Sequence, residues 1–579
     1  METFQQLQAK YATFLLLHSV TETEMVSLGK PKLRSTPVPS NATSRSPTAH
    51  SANECVVASA LSPTFPSPQA DMPVPQSPGS GYVPALTPNV TGTPPAPEKR
   101  MGVGEYLRTR ITTLKPPMQK VENPFKVLRL LNRLQWMQFL IAFIAWSWDA
   151  FDFFTVSMTI SDLAEEFGKS KTDITWGITL VLMLRSVGSI TFGIASDRWG
   201  RKWPFVVNNI LFIVLELATG FCTNYTQFLW VRALFGIAMG GLYGNVAATA
   251  LEDCPPAARG IVSGMMQQGY AFGYLLCVVF ARIFVNTTSH GWRPLFWFGA
   301  CPPLLIIIAR LYLPETKVYQ ERQAVREATS NSSKTFIAEG KVAFKRHWML
   351  LIYLVLLMAG FNFMSHGSQD LYPTMLENQF EFSADEVTVT QVVANLGAIT
   401  GGTLVGYYSQ IFGRRLSIIV VAMVGAAILY PYSYTSDLSI MVAAFFEQFC
   451  VQGAWGVVPI HLMELSPPSY NTLIVGTSYQ LGNLISSASS TIEARLGENY
   501  PLPPNEEGVS RYEYGKVICI FMAVVYAYLV LLTFLGPEAR GKEFDVAHDN
   551  DLEEAAHVNP EDLEKILHTN EQDKSVKGG

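Results

Sequence analysis

Charge is what this chain has least of. Only 15% of its 579 residues are Asp, Glu, Lys or Arg, while 49% are hydrophobic. Ordinary soluble domains carry about 25% charged residues, so a soluble reading is excluded. The seven cysteines have neither the spacing of a zinc site nor the density of a secreted disulfide framework. Five of them (Cys222, Cys277, Cys301, Cys450 and Cys519) fall inside apolar runs, as small core residues. A phosphate-cradling glycine loop, a zinc-ligand pattern and a nucleophile elbow are all missing, which argues against an enzyme and against transport driven by nucleotide hydrolysis. Gly367-Ser368-Gln369-Asp370 lacks the second glycine and the preceding strand that an elbow requires. No cofactor, metal or nucleic-acid partner is expected. The apolar patch Phe14 to Leu17 is too short for a signal-peptide core.

Long hydrophobic runs are abundant. About twelve segments have the ~20-residue length that crosses a ~30 Å hydrocarbon layer at ~1.5 Å per residue. They lie near 138–160, 174–196, 204–222, 226–250, 260–284, 293–313, 348–368, 387–409, 415–434, 438–462, 470–492 and 515–536. Lys and Arg collect in alternate loops: Arg198, Arg201 and Lys202, then Arg259, then the stretch from Lys317 to Arg346, then Arg414 and Arg415. The positive-inside rule makes those loops, and with them both termini, cytoplasmic. Asn224 and Asn286 begin sequons in external loops too short for glycosylation.

Residues 1–124 form a cytosolic tail, rich in Pro, Ser, Thr and Ala from Ser35 to Pro97 and unable to bury enough apolar surface to fold. Met101 opens a basic juxtamembrane stretch and is a candidate second start. Residues 125–313 and 348–536 are read as two six-span halves joined by a cytosolic loop, 314–347, with an acidic cytosolic tail at 537–579. The halves repeat. Gly193-Ile-Ala-Ser-Asp197-Arg198-Trp-Gly200-Arg201-Lys202 returns as Gly406-Tyr-Tyr-Ser-Gln410-Ile-Phe-Gly413-Arg414-Arg415. Glu252-Asp-Cys-Pro255-Pro256 returns as Glu464-Leu-Ser-Pro467-Pro468, Gln268 matches Gln480, and Pro314-Glu315 matches Pro537-Glu538. With Gln410 in place of Asp197, the second loop is expected to lack the charge latch its twin can form.

Chemistry concentrates in a few intramembrane polar groups. If the seventh span continues as a helix, Asn362, Ser365, His366, Gln369 and Asp370 fall on one face, which must look into protein or a water-filled path. His366 and Asp370 are spaced i, i+4, and an imidazole titrates across the range a proton gradient spans, so they lead as proton-coupling pair. Asp370 fixing the tautomer of a neutral, path-lining His366 is the alternative, and Asp149 and Asp152 on span one are rival proton carriers. Arg185, midway along span two, presents a fork of donors matched to a carboxylate. It reads as the anchor of an anionic substrate or as a structural partner of Asp149 or Asp152. Gln480 and Asn483 share a face of span eleven and can contact substrate or bond helices together. Gln391 and Asn395 form a similar pair in span eight, and Glu216 and Glu447 are further intramembrane acids. Gly236, Gly240, Gly241 and Gly244 form a stripe for close helix packing.

Two parallel six-span repeats with a Gly-x-x-x-Asp-Arg-x-Gly-Arg-Lys loop resemble the major facilitator superfamily. That resemblance implies an all-α membrane protein of twelve helices in two six-helix bundles, with alternating access around a central site. It also implies that Gly193, Asp197, Arg198, Gly200, Arg201 and Lys202 form a conformational-switch loop. Within the superfamily, Asn-x-x-Ser-His-x-Ser-Gln-Asp-x-x-x-Thr from Asn362 to Thr374 resembles the signature of the fungal Jen-type carboxylate/proton symporters. Trp148-Asp149-Ala-Phe-Asp152, Arg185, Gln267-Gln268-Gly-Tyr-Ala-Phe-Gly273 and Gln480-Leu-Gly-Asn483 look like the same family. The implied activity is plasma-membrane import of lactate, pyruvate and related short acids (acetate, propionate) with protons. Substrate contacts are then expected at Arg185, Asn362, Ser365, Gln480 and Asn483. Succinate or malate carriage and a transporter-like nutrient sensor are the alternatives. A drug/proton antiporter is disfavoured because span five reads Gly264-Met-Met-Gln-Gln-Gly269, without that family's Gly-Pro pair. Lys565, Lys574 and Lys577 in the acidic tail suggest contact with endocytic and ubiquitin machinery.

Overall fold

A computed structural model describes residues 103–118, 120, 122–285, 287–328, 332–504 and 511–544. All belong to one compact unit, Met101–Gly579. The Ser/Pro-rich segment, Met101, Asn286 and the C-terminal lysines lie outside the described residues.

The elements before the midpoint are α1 (Val103–Thr112), α2 (Pro124–Leu128), α3 (Arg133–Met158), α4 (Ile160–Phe167), α5 (Lys171–Trp199), α6 (Lys202–Gly220), α7 (Tyr225–Gly240), α8 (Leu242–Leu251), α9 (Arg259–Gln267), α10 (Gly269–Phe284), α11 (Arg293–Gly299) and α12 (Cys301–Tyr312). There follow α13 (Lys317–Ala328), α14 (Ser332–Gln369), α15 (Ala384–Phe412), α16 (Arg414–Tyr434), α17 (Ile440–Leu465), α18 (Asn471–Ser486), α19 (Ser489–Gly497) and α20 (Tyr514–Leu535). A two-residue antiparallel ladder, Pro501–Leu502 with Arg511–Tyr512, is the sheet among the described residues. The protein is thus an all-α multi-pass membrane protein. Ten of its helical stretches are long and apolar enough to cross a bilayer. Ile190, Ile194, Val207, Ile210 and Val214 stand exposed on α5 and α6, where lipid would cover them.

The stretches expected at 260–284 and 470–492 are not among these ten, which are counted over the described residues. The first is divided at Gln268 into α9 and α10, and in the second α18 ends at Ser486 before α19 begins. At Gln268 the side-chain amide donates to Gly264 O at 3.3 Å and the backbone N–H to Met265 O at 3.2 Å, while Ser486 and Ser487 donate their hydroxyls to Asn483 O and Leu484 O. The stretch 314–347 is largely helical: it holds α13 and the first turns of α14, which runs unbroken for 38 residues into the polar stripe.

Packing repeats with the sequence. Helix α5 packs on α7 as α15 packs on α17, and across the halves α5 meets α18 while α9 meets α15. Glycine permits the closest approaches. A Cβ on Gly240 would sit 1.9 Å from Arg185 O, and one on Gly401 would sit 2.1 Å from Phe449 O. The stripe on α7 and α8 continues this way, with Gly236 against Val181, Gly241 against Phe192 and Gly244 against Thr472.

Candidate functional site

A cavity of about 290 Å³ opens between α3, α5, α10, α14, α15, α17 and α18. All five residues of the polar stripe line it: Asn362, Ser365, His366, Gln369 and Asp370. The helix makes this possible. The Asp370 N–H still donates to His366 O at 2.9 Å, so helical bonding persists through the stripe although α14 ends at Gln369.

His366 Nδ1 lies 3.1 Å from Asp370 Oδ2, close enough for a ring N–H to donate to the carboxylate. Both side chains are partly open, 22% and 35% exposed, in contrast to the other ionisable groups of the interior. Next to them is a belt of neutral donors. Gln369 Nε2 donates to Gln448 Oε1 at 2.8 Å, Gln448 Nε2 donates to Ser368 Oγ at 3.2 Å, and Trp455 Nε1 donates to Ser365 Oγ at 2.6 Å. Gln391 and Asn395 also face the cavity. Asn362 Nδ2 is held by Met358 O, so its carbonyl oxygen is the end left for other partners.

Arg185 brings a guanidinium to the opposite wall, from α5. Its Cζ lies 4.8 Å over the Phe153 ring, and Nη2 is 4.0 Å from Asp149 Oδ2. At that separation the pair is electrostatic rather than a tight hydrogen-bonded fork. Its Nη2 also donates to Met239 Sδ at 2.5 Å, and its Nε, itself buried, has no hydrogen-bond partner among the described residues. One donor of the guanidinium is therefore unsatisfied.

Of the remaining expected residues, Asn483 alone reaches the cavity surface. Gln480 is buried behind it, accepting from Asn483 Nδ2 at 3.2 Å. Gln480 thus orients Asn483 instead of facing the space. Asp149 and Asp152 also lie behind the wall. Among the described residues neither oxygen of Asp152 has a hydrogen-bond donor, and its charged neighbours include Glu216 and Arg232, themselves 3.6 Å apart. Glu447 accepts from Tyr526 Oη at 2.6 Å, away from the cavity.

Sequence reasoning passed over Arg232, whose only signal is a guanidinium midway along an apolar run. It also passed over the aromatic lining, Phe153, Phe154, Tyr270, Tyr274, Trp455 and Tyr479. In a membrane chain such residues look like ordinary packing until they are placed.

The switch loop lies far along α5 from this cavity. Arg201 Nη2 bonds Glu252 Oε1 at 2.6 Å and is 3.2 Å from Asp197 Oδ1. Asp197 in turn accepts from the N–H groups of Thr472 and Leu473, at 3.2 and 2.8 Å, where α18 begins. Gly193 packs against Leu473, where a Cβ would come within 2.7 Å of Cα. Gly200, at φ 93°, makes the turn that carries Arg201 inward, and Arg198 accepts at its carbonyl from Tyr319 Oη. Lys202 donates from Nζ to Leu311 O. In the second copy Arg414 Nε bonds Glu464 Oε2 at 2.9 Å, and Gln410 Oε1 accepts from Arg414 Nη2 at 2.6 Å. Glu464 is the counterpart of Glu252, so both loops hold an Arg–Glu pair, while the charged contact that Asp197 makes with the start of α18 has no carboxylate at Gln410 to repeat it.

At the cavity end, Arg293 Nη1 and the Trp292 indole both donate to Glu166, tying α11 to α4 and holding that carboxyl below its usual range.

A family model described as sugar (and other) transporter matches residues 133–549. A carboxylic acid transporter protein homolog of Saccharomyces cerevisiae is 40% identical over 432 residues, covering 72% of this chain and 70% of its own. A cis,cis-muconate transport protein of Acinetobacter baylyi is 26% identical, covering 60% of this chain and 84% of its own. Among solved structures, the proton:xylose symporter XylE superposes with a TM-score of 0.59 at 17% identity, covering 73% of this chain and 98% of its own. That likeness is one of fold, and XylE is a major facilitator superfamily protein. Family match, fungal relative and fold agree: the chain belongs to the sugar (and other) transporter family, is homologous to a fungal carboxylic acid transporter protein homolog, and has the fold of the major facilitator proteins.

Proposed function

We propose that this protein is a proton-coupled symporter that imports short-chain monocarboxylates, lactate and pyruvate foremost and acetate and propionate with them, across the plasma membrane. The observation that carries the reading is the pairing, across one cavity, of the Arg185 guanidinium with the His366–Asp370 couple. Burial of a guanidinium in a span costs about 2.5–3.5 kcal/mol on insertion scales. A carboxylate that pairs with the guanidinium offsets that cost. Asn362, Ser365 and Asn483, with Gln480 behind, offer neutral donors and acceptors to a keto or hydroxyl group.

Counting the two broken stretches as crossings gives twelve helices in two six-helix bundles, with both termini cytoplasmic. In that frame most lining residues lie in the outer half of their helices, and the loop face is closed, so the carrier faces outward. A proton reaches His366–Asp370, Asp149 or Asp152 and a carboxylate reaches Arg185. The loaded site then carries fewer unpaired charges, and one bundle rocks against the other. Tails in contact with ubiquitin and endocytic machinery remain part of this proposal.

A second reading has its own observation. Six aromatic side chains line the cavity, and relatives are named for cis,cis-muconate and 3-(3-hydroxy-phenyl)propionate transport. Larger unsaturated acids would find ring faces on both walls.

The test is uptake of labelled lactate in cells lacking their own carriers, at acid and neutral external pH, with pyruvate, succinate, muconate and glucose as competitors. Acid-stimulated uptake blocked by pyruvate is expected. Arg185→Ala should lower uptake about tenfold to a hundredfold, the worth of a hydrogen bond to a charged group. Succinate or muconate dominating the competition would move the substrate class. Uptake indifferent to pH and to uncouplers would sink the symport mechanism, and a transport-dead protein that still signals would make it a sensor.

A further inference from the structure

The described residues near both ends of the chain cross the loop face, in opposite directions. On the N-terminal side, residues 103–122 lie on the second half. Tyr106 Oη donates to Leu535 O at 2.8 Å, Arg110 Nη1 to Gly536 O at 2.9 Å, and Arg540 Nη2 to Pro117 O at 2.6 Å. Arg415 Nη1 donates to Thr113 Oγ1 at 3.2 Å, and Tyr407 Oη on α15 donates to Glu122 O. The next residue, Asn123, caps α2, which packs on the turn Pro256–Ala258 of the first half. Gln135 anchors the entry of α3 nearby, donating to Asp253 O at 2.6 Å.

The C-terminal side mirrors this. Gly541 N–H donates to Glu464 Oε1 at 2.9 Å and Lys542 Nζ to Ser466 O at 3.0 Å, both in the second half. Arg259 of the first half donates from Nη1 to Lys542 O at 2.7 Å and lies 3.6 Å from Glu543. Its guanidinium sits 4.1 Å over the Phe544 ring, which is 1% exposed. Arg322 on α13 donates from Nη2 to Phe544 O at 2.6 Å.

We propose that these two segments are reciprocal straps that hold the loop face shut, and that at least one must release before the carrier can open on that side. The inference rests on the rocking of two bundles set out above. Slack decides it. Glu122 is bound to the second half and Asn123 already belongs to α2 on the first, while Lys542 alone is bound to both halves. Neighbouring Cα atoms are about 3.8 Å apart, so a larger separation of the halves at these points must pull Glu122 from Tyr407 or Lys542 from Arg259. The strap contacts are made largely through backbone carbonyls of irregular segments, within 113–118, at 122 and within 536–544. They can therefore detach locally while every span stays folded.

Hydrogen exchange on the full-length protein in lipid nanodiscs tests this without any substrate. In wild type, Tyr407→Phe and Phe544→Ala, the amides of 259–264 and 471–476 report opening of the loop face. Severalfold faster exchange there is expected in each variant. Faster exchange confined to 103–122 or 536–544, with the loop-face amides unchanged, overturns the proposal. A lock complements the release: cysteines at 122 and 407, in a chain whose native cysteines are serine, joined by a short reducible cross-linker. Lactate uptake should vanish on linking and return on reduction. Linked protein that transports at the unlinked rate also overturns the straps. Unlinked protein that carries no carboxylate instead refutes the proposed function and leaves the exchange result to decide the straps.

Discussion

Arg201 and Arg414 occupy matching places after the second and eighth spans, and each holds a buried glutamate, Glu252 at 2.6 Å and Glu464 at 2.9 Å. A second pair of glutamates matches as well. Glu315 accepts from the Lys202 N–H at 2.9 Å and Glu538 from the Arg415 N–H at 3.0 Å, each near the start of the following span. The loops part company at one position. Asp197 reaches across to the first turn of α18, where unpaired N–H groups carry partial positive charge. Gln410 accepts from its own Arg414. The α9–α15 contact beside Gln410 has glycine instead: a Cβ on Gly260 would lie 2.6 Å from Gly406 O, and one on Gly264 2.4 Å from Gly402 O. One seam between the halves thus adds a charge on a helix end to its glycine contacts, such as Gly193 on Leu473, while the other rests on glycine contact. A repeat in sequence does not oblige the two copies to use the same physics.

The largest test is of the shared part. Arg201→Ala and Arg414→Ala each leave a buried carboxylate unpaired, and each should cost about 3–5 kcal/mol of stability. Thermal unfolding of the purified variants in detergent measures this, and a large loss in only one would break the equivalence. Next is the part that differs. Asp197→Gln copies the second loop into the first and should weaken the α5–α18 seam by about 1.5–3 kcal/mol, the worth of hydrogen bonds to a charged acceptor. Thiol labelling of a cysteine at Leu473 should rise accordingly; unchanged labelling would mean that glycine packing alone holds both seams. Gly264→Ala sharpens the contrast, since it overpacks the other seam at about 1–3 kcal/mol. Gly476→Ala, with 3.6 Å to its nearest atom, is the tolerated control in the same melting series.

The smallest effect belongs to the cavity end. Glu166→Gln removes a half-exposed pair with Arg293 and should cost no more than about 1 kcal/mol. Its carboxyl is lowered by the Arg293 hydrogen bond. The contribution is therefore present above the unfolded carboxylate value and is lost as pH falls through the folded one. Melting curves of wild type and variant should converge in acid.

Much of this was legible beforehand because it is periodic. Asn362, Ser365, His366, Gln369 and Asp370 follow the helical repeat, so their shared face could be read without coordinates, and all five line one cavity. The loop motifs could be paired because Gly, Pro, Arg and Glu recur at fixed spacing. Tyr270, Tyr274, Trp455 and Gln448 carry no such mark, since a residue that packs and one that lines a cavity look alike in an apolar span. The breaks at Gln268 and Ser487 escaped a hydropathy reading because an average over apolar residues does not register a local turn of the backbone.

By itself the sequence determined that the chain must live in a bilayer, how many apolar runs it offers, and that its halves are copies. Burial energy and backbone satisfaction in lipid leave no other solution. Tertiary structure decided which polar groups share a site or a seam: that Arg185 lines one cavity with His366 and Asp370, that Gln480 stands behind Asn483, and that Lys542 joins both halves. Arg259 and Lys542 are 283 positions apart in the chain, and only packing of the folded helices brings such residues together.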